Sequence, residues 1–127
     1  MTYSVEQTKS GIPAMWEKGG AFSNTGEAVI IADRNGYPKR PVCVRTHGNL
    51  ACGCHALVPV AAGDIIVTVN RHHDRAAVTV ERISAISGDA ARAEPCADPI
   101  CVDAIYAAID KANEYHCRTP HYIRGLK

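Results

Sequence analysis

The thirteen residues from Cys43 to His55, CVRTHGNLACGCH, carry three of the chain's six cysteines and two of its six histidines. Thiolates and imidazoles at this density point to a metal site. Cys52 and Cys54 flank Gly53, so in an extended backbone their side chains leave the same face while that of His55 leaves the other. A tight turn at Gly53 would bring all three together. Zinc suits this donor set best, because Cys thiolate and His imidazole satisfy a four-coordinate ion; iron, or a redox role for the thiols, is the alternative. The spacing is not that of a zinc finger, since no CxxC pair is followed by a second one. Buried reduced thiols are the competing reading.

Composition bounds the class without naming a task. A chain of 127 residues is one domain by the usual prior and can bury a sizeable core, so a metal is not required for folding. With 14 basic and 13 acidic residues and a formal charge of +1, a broad nucleic-acid or membrane-surface footprint is not expected. Arg71, His72, His73 and Arg75 surround Asp74 and read as a solvated loop. The stretch MTYSVEQTKS is polar and offers no apolar signal segment, and no window approaches a membrane span, so synthesis in the cytosol is expected. There the cysteines act as thiols or ligands rather than as disulfides.

The elements that must position these residues follow from the apolar pattern. Between Glu27 and about Ile86, EAVIIA, RPVCVRT, HALVPV, DIIVTVN and AAVTVERISAI are short runs rich in Val and Ile, and they read as strands. Asn35-Gly36 supplies positive φ angles for a hairpin turn after the first run, and Gly63-Asp64 separates the third from the fourth. GDAARAEPCADP then reads as a Pro- and Ala-rich connector. From Cys101 to Tyr115, the three- to four-residue spacing of Cys101, Ile105, Ile109 and Ala112 predicts an amphipathic helix, started by Asp98 and Pro99. The expected architecture is mainly β: residues 1–18 an extended arm, 19–86 a small antiparallel domain of hairpin repeats, cone-like or barrel-like, and 87–127 a connector with one C-terminal helix.

A shift of 37 residues lays Thr25 to Asp33 on Ala62 to Asn70, so a strand opening on a small residue and Gly and closing on Asp or Asn occurs twice. Gly19 to Gly26 with AVIIADRNGYPKRPV, followed by HGNLACGCHALVPVAAGDIIVTVN with HHDRAAV, resembles the PAAR-repeat proteins that cap the spikes of phage tails and type VI secretion systems. CGCHALV is the closest local likeness, and the resemblance covers roughly residues 19–85. The Pro-Ala-Ala-Arg tetrapeptide is replaced by Pro38-Lys39-Arg40-Pro41 and by Arg75-Ala76-Ala77-Val78, and Lys18 stands where many members carry a His.

The resemblance implies a mechanical part: a metal-stabilised tip capping a trimeric β-helical spike as a single copy, made in the cytoplasm, assembled into a virion tail or secretion apparatus, and touching the target envelope transiently. It is not an enzyme on that reading. A narrow tip cannot bury many residues, so a metal cluster supplies rigidity that packing cannot. The apex loops would be Arg45–His55 and Arg71–Arg75. Cys52 and His55, with His47 and one of His72 or His73, would complete the zinc or iron ligands, and Cys54 competes for a place. Two rivals come from other classes. One is a free-standing zinc-stabilised β-barrel that binds a ligand or protein. The other is a Cys-dependent enzyme with Cys54 and His55 as nucleophile and base, or Cys52 and Cys54 as a redox pair.

Cys96, Cys101, His116 and Cys117 form a second group. A straight helix keeps Cys101 and Cys117 about 24 Å apart, so they cannot share one metal, and Cys96 meets either only by folding back. Thiols packed under the helix are the expected state.

Overall fold

EAVIIA and DIIVTVN are not alternating runs: Ile30 and Ile31 are both buried, as are Ile65, Ile66 and Val67. Such strands need a cover on each face. In the structure, a computed structural model describing residues 1–17, 25–40, 56–72 and 75–115, one helix and a second sheet provide the covers. In chain order the elements are β1 (Thr2–Ser4), β2 (Glu6–Gln7), β3 (Pro13–Glu17), β4 (Thr25–Ala32), β5 (Ala56–Pro59), β6 (Ile65–His72), β7 (Arg75–Ser87), β8 (Ala90–Pro95) and α1 (Pro99–Tyr115).

The chain is mainly β. A five-stranded sheet of order β1-β8-β7-β6-β4 curls into a half-barrel, and β2-β3-β5 form a three-stranded sheet. Among the described residues every strand pair is antiparallel. On one face of the large sheet, Ala28, Ile30 and Ala32 of β4 join Ile65, Val67 and Val69 of β6 beneath Cys101 and Ile105 of α1. On the other, Ile31, Ile66, Ile83, Ala91 and Ala93 pack with Val5, Met15, Val58 and Val60 from the small-sheet layer. Full burial of a side chain such as Ile105 contributes about 1.5–3 kcal/mol.

The two copies of the sequence repeat become neighbours: β4 pairs with β6 from Thr25↔His72 to Ala32↔Ile65. The first two strands of the chain go to different sheets, β1 pairing with β8 and β2 with β3. Val5 marks the crossing, and its N–H donates to the Asp89 carbonyl at 2.8 Å. Residues 1–17, expected as an extended arm, instead supply strands to both sheets and reverse direction between β2 and β3, where the Gly11 N–H donates to the Thr8 carbonyl.

The stretch read as a connector departs further, because Ala90–Pro95 is β8, lying between β1 and β7 inside the large sheet. Ala91 and Ala93 point into the core while Arg92 and Glu94 are exposed. That is a period-two pattern hidden by small residues, whose strand preference depends on context more than on identity. A register shift between Ile83 and Ala85 is a β-bulge. It returns Ile86 to the face that Ile83 occupies, which unbroken alternation would not do.

At Asn35-Gly36 the chain turns as expected: the Asp33 N–H donates to the Tyr37 carbonyl (2.8 Å), the Gly36 N–H to the Asp33 carbonyl (3.0 Å), and Gly36 has φ +88°. Ala32 bridges Pro38 beyond it. The strand RPVCVRT expected next lies outside the described residues after Arg40. The helix starts as predicted: Asp98 Oδ1 accepts the Ile100 N–H at 3.1 Å, the Asp98 carbonyl accepts from Val102 at 3.0 Å, and Pro99 occupies the first helical position. Ile105 is buried; the side chains of Ile109 and Ala112 lie outside those described.

Candidate functional site

The Cys/His-rich segment leaves the described fold at Arg40, beside buried carboxylates, and rejoins it at Ala56, in the backbone pairing of β5 with β3. Ile31 lies on β4, at the edge of the large sheet. The carboxylate of Glu17, at the end of β3, accepts its N–H at 2.6 Å, and the Lys39 N–H donates to its carbonyl at 3.1 Å. An edge strand that would otherwise offer free pairing groups is thereby closed at this point. Arg40 Nη1 lies 3.4 Å from the second Glu17 oxygen.

Lys39 performs the matching task for the next turn. Its Nζ donates to Asp64 Oδ2 at 2.5 Å and to the Pro59 carbonyl at 2.9 Å, while the same Asp64 oxygen accepts the Ala61 N–H at 2.8 Å. Glu17 and Asp64 are two of the three buried acidic residues in the described chain, and they meet the consecutive cations Lys39 and Arg40. Desolvated carboxylates need such partners. At the other junction, Ala56 opens β5 and pairs with Glu17 on β3. Glu17, whose side chain holds Arg40, is therefore paired through its backbone with the residue that follows His55.

Of the sequence-predicted ligands, His47, Cys52, Cys54 and His55 lie outside the described residues. His72 is the last residue of β6, its backbone paired with Thr25 and with Arg75; its side chain lies outside those described. Its register position separates it from the junctions. Glu17 binds at Ile31, whose partner on β6 is Ile66. His72 stands six residues farther along β6, about 20 Å at strand rise. Among the described residues, no three His, Cys, Asp or Glu side chains gather to hold a metal.

The second cysteine group does fold back. Cys96, just past β8, lies beside Cys101 in the first turn of α1, and both cap the helix-side core. Arg82 Nη2 donates to Cys96 Sγ at 3.6 Å, while its Nη1 is held by the carbonyls of Gly63 (2.9 Å) and Arg34 (3.1 Å). Cys101 is 1% exposed. Burial, then the charge and hydrogen bond of Cys96, push its thiol pKa up to about 11. His116 and Cys117 lie outside the described residues. Sequence spacing missed the pair because the approach of residue 96 to residue 101 depends on how β8 hands over to α1. The third buried carboxylate, Glu81, accepts the Tyr3 hydroxyl. Burial first, then Glu81, push the Tyr3 pKa up to about 12.

Glu17 makes a pH prediction. Burial raises its pKa above the ordinary glutamate value, opposed by the Ile31 N–H and by Arg40. Between the two values the folded chain binds a proton that the unfolded chain has released, so this residue's contribution to stability falls as pH rises through that window. Glu17→Gln keeps an acceptor for the Ile31 N–H and cannot ionise. Urea midpoints of the two proteins measured across the acid range should lie closest at low pH, where both side chains are neutral, and separate as pH rises through the window, with wild type losing stability relative to the variant. Parallel curves would show that Glu17 does not carry this pH dependence.

No protein-family model, curated protein or solved structure matches the chain. Among the described residues, no helix is long and apolar enough to cross a membrane.

Proposed function

We propose that the protein is a metal-stabilised structural module of PAAR-like type, a tip that caps a trimeric β-helical spike of a phage tail or secretion apparatus. The observation that carries this reading is the double anchoring of the Cys/His-rich segment. Lys39 and Arg40 are tied to Asp64 and Glu17 just before it, and Ala56 is paired with Glu17 just after it. A segment of fifteen residues bearing soft donors on so fixed a base is suited to close around a zinc or iron ion, and the binding free energy would appear as rigidity.

His47, Cys52, Cys54 and His55 would supply four donors within nine residues, enough for zinc without a distant partner. His72 is the separable member, given its position about 20 Å along β6 from the junctions. The role is mechanical, with no turnover assigned to Cys54. A broad face for the spike would draw on exposed apolar residues such as Trp16 on the small sheet, which is 55% exposed and fixed by its Nε1 donating to Glu6.

Elemental analysis and native mass spectrometry test the metal. The expected result is about one zinc or iron per chain, with occupancy and melting temperature both falling in Cys52→Ser and occupancy retained in His72→Ala. A fully folded, metal-free protein purified without chelator would overturn the site. Co-purification with a trimeric spike at one copy per trimer would support the tip. A measurable turnover abolished by Cys54→Ala would replace it with the enzyme reading.

A further inference from the structure

A half-buried thiol, a buried thiol and a guanidinium held by two carbonyls meet where β8 hands the chain to α1. We propose that Cys96 and Cys101 form a reversible dithiol–disulfide pair that clasps the start of α1 to the end of β8. Cys96 is the sulfur that meets an external low-molecular-weight disulfide, and Cys101 is the sulfur that resolves it.

The division of labour follows from burial. Cys96 is half-buried, whereas Cys101 is closed off beneath the helix against Ile105 and the β4–β6 core. Arg82 places positive charge 3.6 Å from the Cys96 sulfur. Its other nitrogen is held by the carbonyls of two turns, so the cation cannot drift away. Burial that keeps Cys101 protonated makes it the poorer first nucleophile. The backbone around the pair is also held: Asp98 caps the helix between the two cysteines, and the Gly36 turn sits directly against the Cys101 backbone.

The exchange balances in two steps. Cys96 thiolate attacks one sulfur of RS–SR, forming Cys96–S–SR and releasing RS⁻. Cys101 then gives up its proton to RS⁻ or to water, attacks Cys96 Sγ, and expels the second RS⁻. Two protein thiols are oxidised to one disulfide, and one external disulfide is reduced to two thiols. An excess of external thiol runs the same steps backward.

Both cysteines fall in one tryptic peptide, Ala93 to Lys111, which contains no internal Lys or Arg. The folded full chain is treated with glutathione disulfide, denatured, alkylated and digested. The expected peptide is unalkylated at both positions and lighter by two hydrogens, and dithiothreitol restores both alkylation sites. In Cys101→Ser a glutathione adduct should accumulate on Cys96, and in Cys96→Ser Cys101 should stay free, with circular dichroism confirming the fold of each. The proposal is overturned if both thiols of the wild type stay fully alkylatable after treatment, if Cys101→Ser collects no adduct on Cys96, or if either cysteine cross-links elsewhere instead. Metal content does not enter this readout, so the outcome is independent of the metal reading.

Discussion

Gly36→Ala should lower stability by about 2–5 kcal/mol, as a sum of backbone strain and a steric clash. Gly36 has φ +88°, a conformation that an L side chain adopts at a cost. A Cβ there would also run into the backbone of Cys101, meeting its carbonyl oxygen and standing 2.9 Å from its Cα. Backbone atoms in the first helical turn cannot rotate away as a side-chain tip can. Gly11 is the control: its φ is +78°, but a Cβ would meet nothing within 4 Å. Gly11→Ala should therefore cost only the conformational part, about 1 kcal/mol. Urea denaturation of the two variants separates the effects, and equal losses would show that the turn does not bear on the helix. A drop in helical circular dichroism confined to Gly36→Ala would place the damage at α1.

The second large effect tests two-sided burial of the central strand. Ile65 and Ile66 are consecutive, both fully buried, and belong to different cores: Ile65 to the helix side and Ile66 to the small-sheet side. Each truncated to Ala should lose about 2–5 kcal/mol, from lost transfer energy and from the cavity left behind. A sheet with one solvated face would tolerate one of the two changes almost freely. A near-neutral Ile65→Ala would mean that α1 does not cover that face, and a near-neutral Ile66→Ala would say the same of the small sheet. For a domain whose whole stability is of order 5–15 kcal/mol, either variant should shift the urea midpoint by a large fraction.

The elements most legible in the sequence are those whose information is local. β4, β6 and β7 appear as Val/Ile runs, the Gly36 and Gly63 turns as glycines with positive φ, and α1 as a cap, a Pro and a regular apolar spacing. β8 was hidden because alternation of Ala with Arg and Glu carries little hydrophobic contrast; it becomes a strand because β1 and β7 pair on both sides of it. The passage of the chain from one sheet to the other between β1 and β2 was equally invisible, since the crossing at Val5 depends on Asp89, far along the chain.

The candidate site divides along the same line. The types and spacing of His47, Cys52, Cys54 and His55 are sequence properties, and they determine which chemistry the segment can offer. In the sequence Lys39 and Arg40 appear only within Pro38-Lys39-Arg40-Pro41, with no sign of what they pair with. Only the tertiary structure shows them tied to Asp64 and Glu17, because salt-bridge partners 25 and 23 residues away cannot be chosen by local rules. The same holds for Cys96 and Cys101. The sequence by itself determined a mainly β chain with one C-terminal helix and a dense group of soft ligands, because strand, turn and helix preferences act over a few residues. Tertiary structure alone decided which strand sits beside which, which faces are covered twice, and which thiols meet, because those follow from burial of apolar area summed over the whole chain.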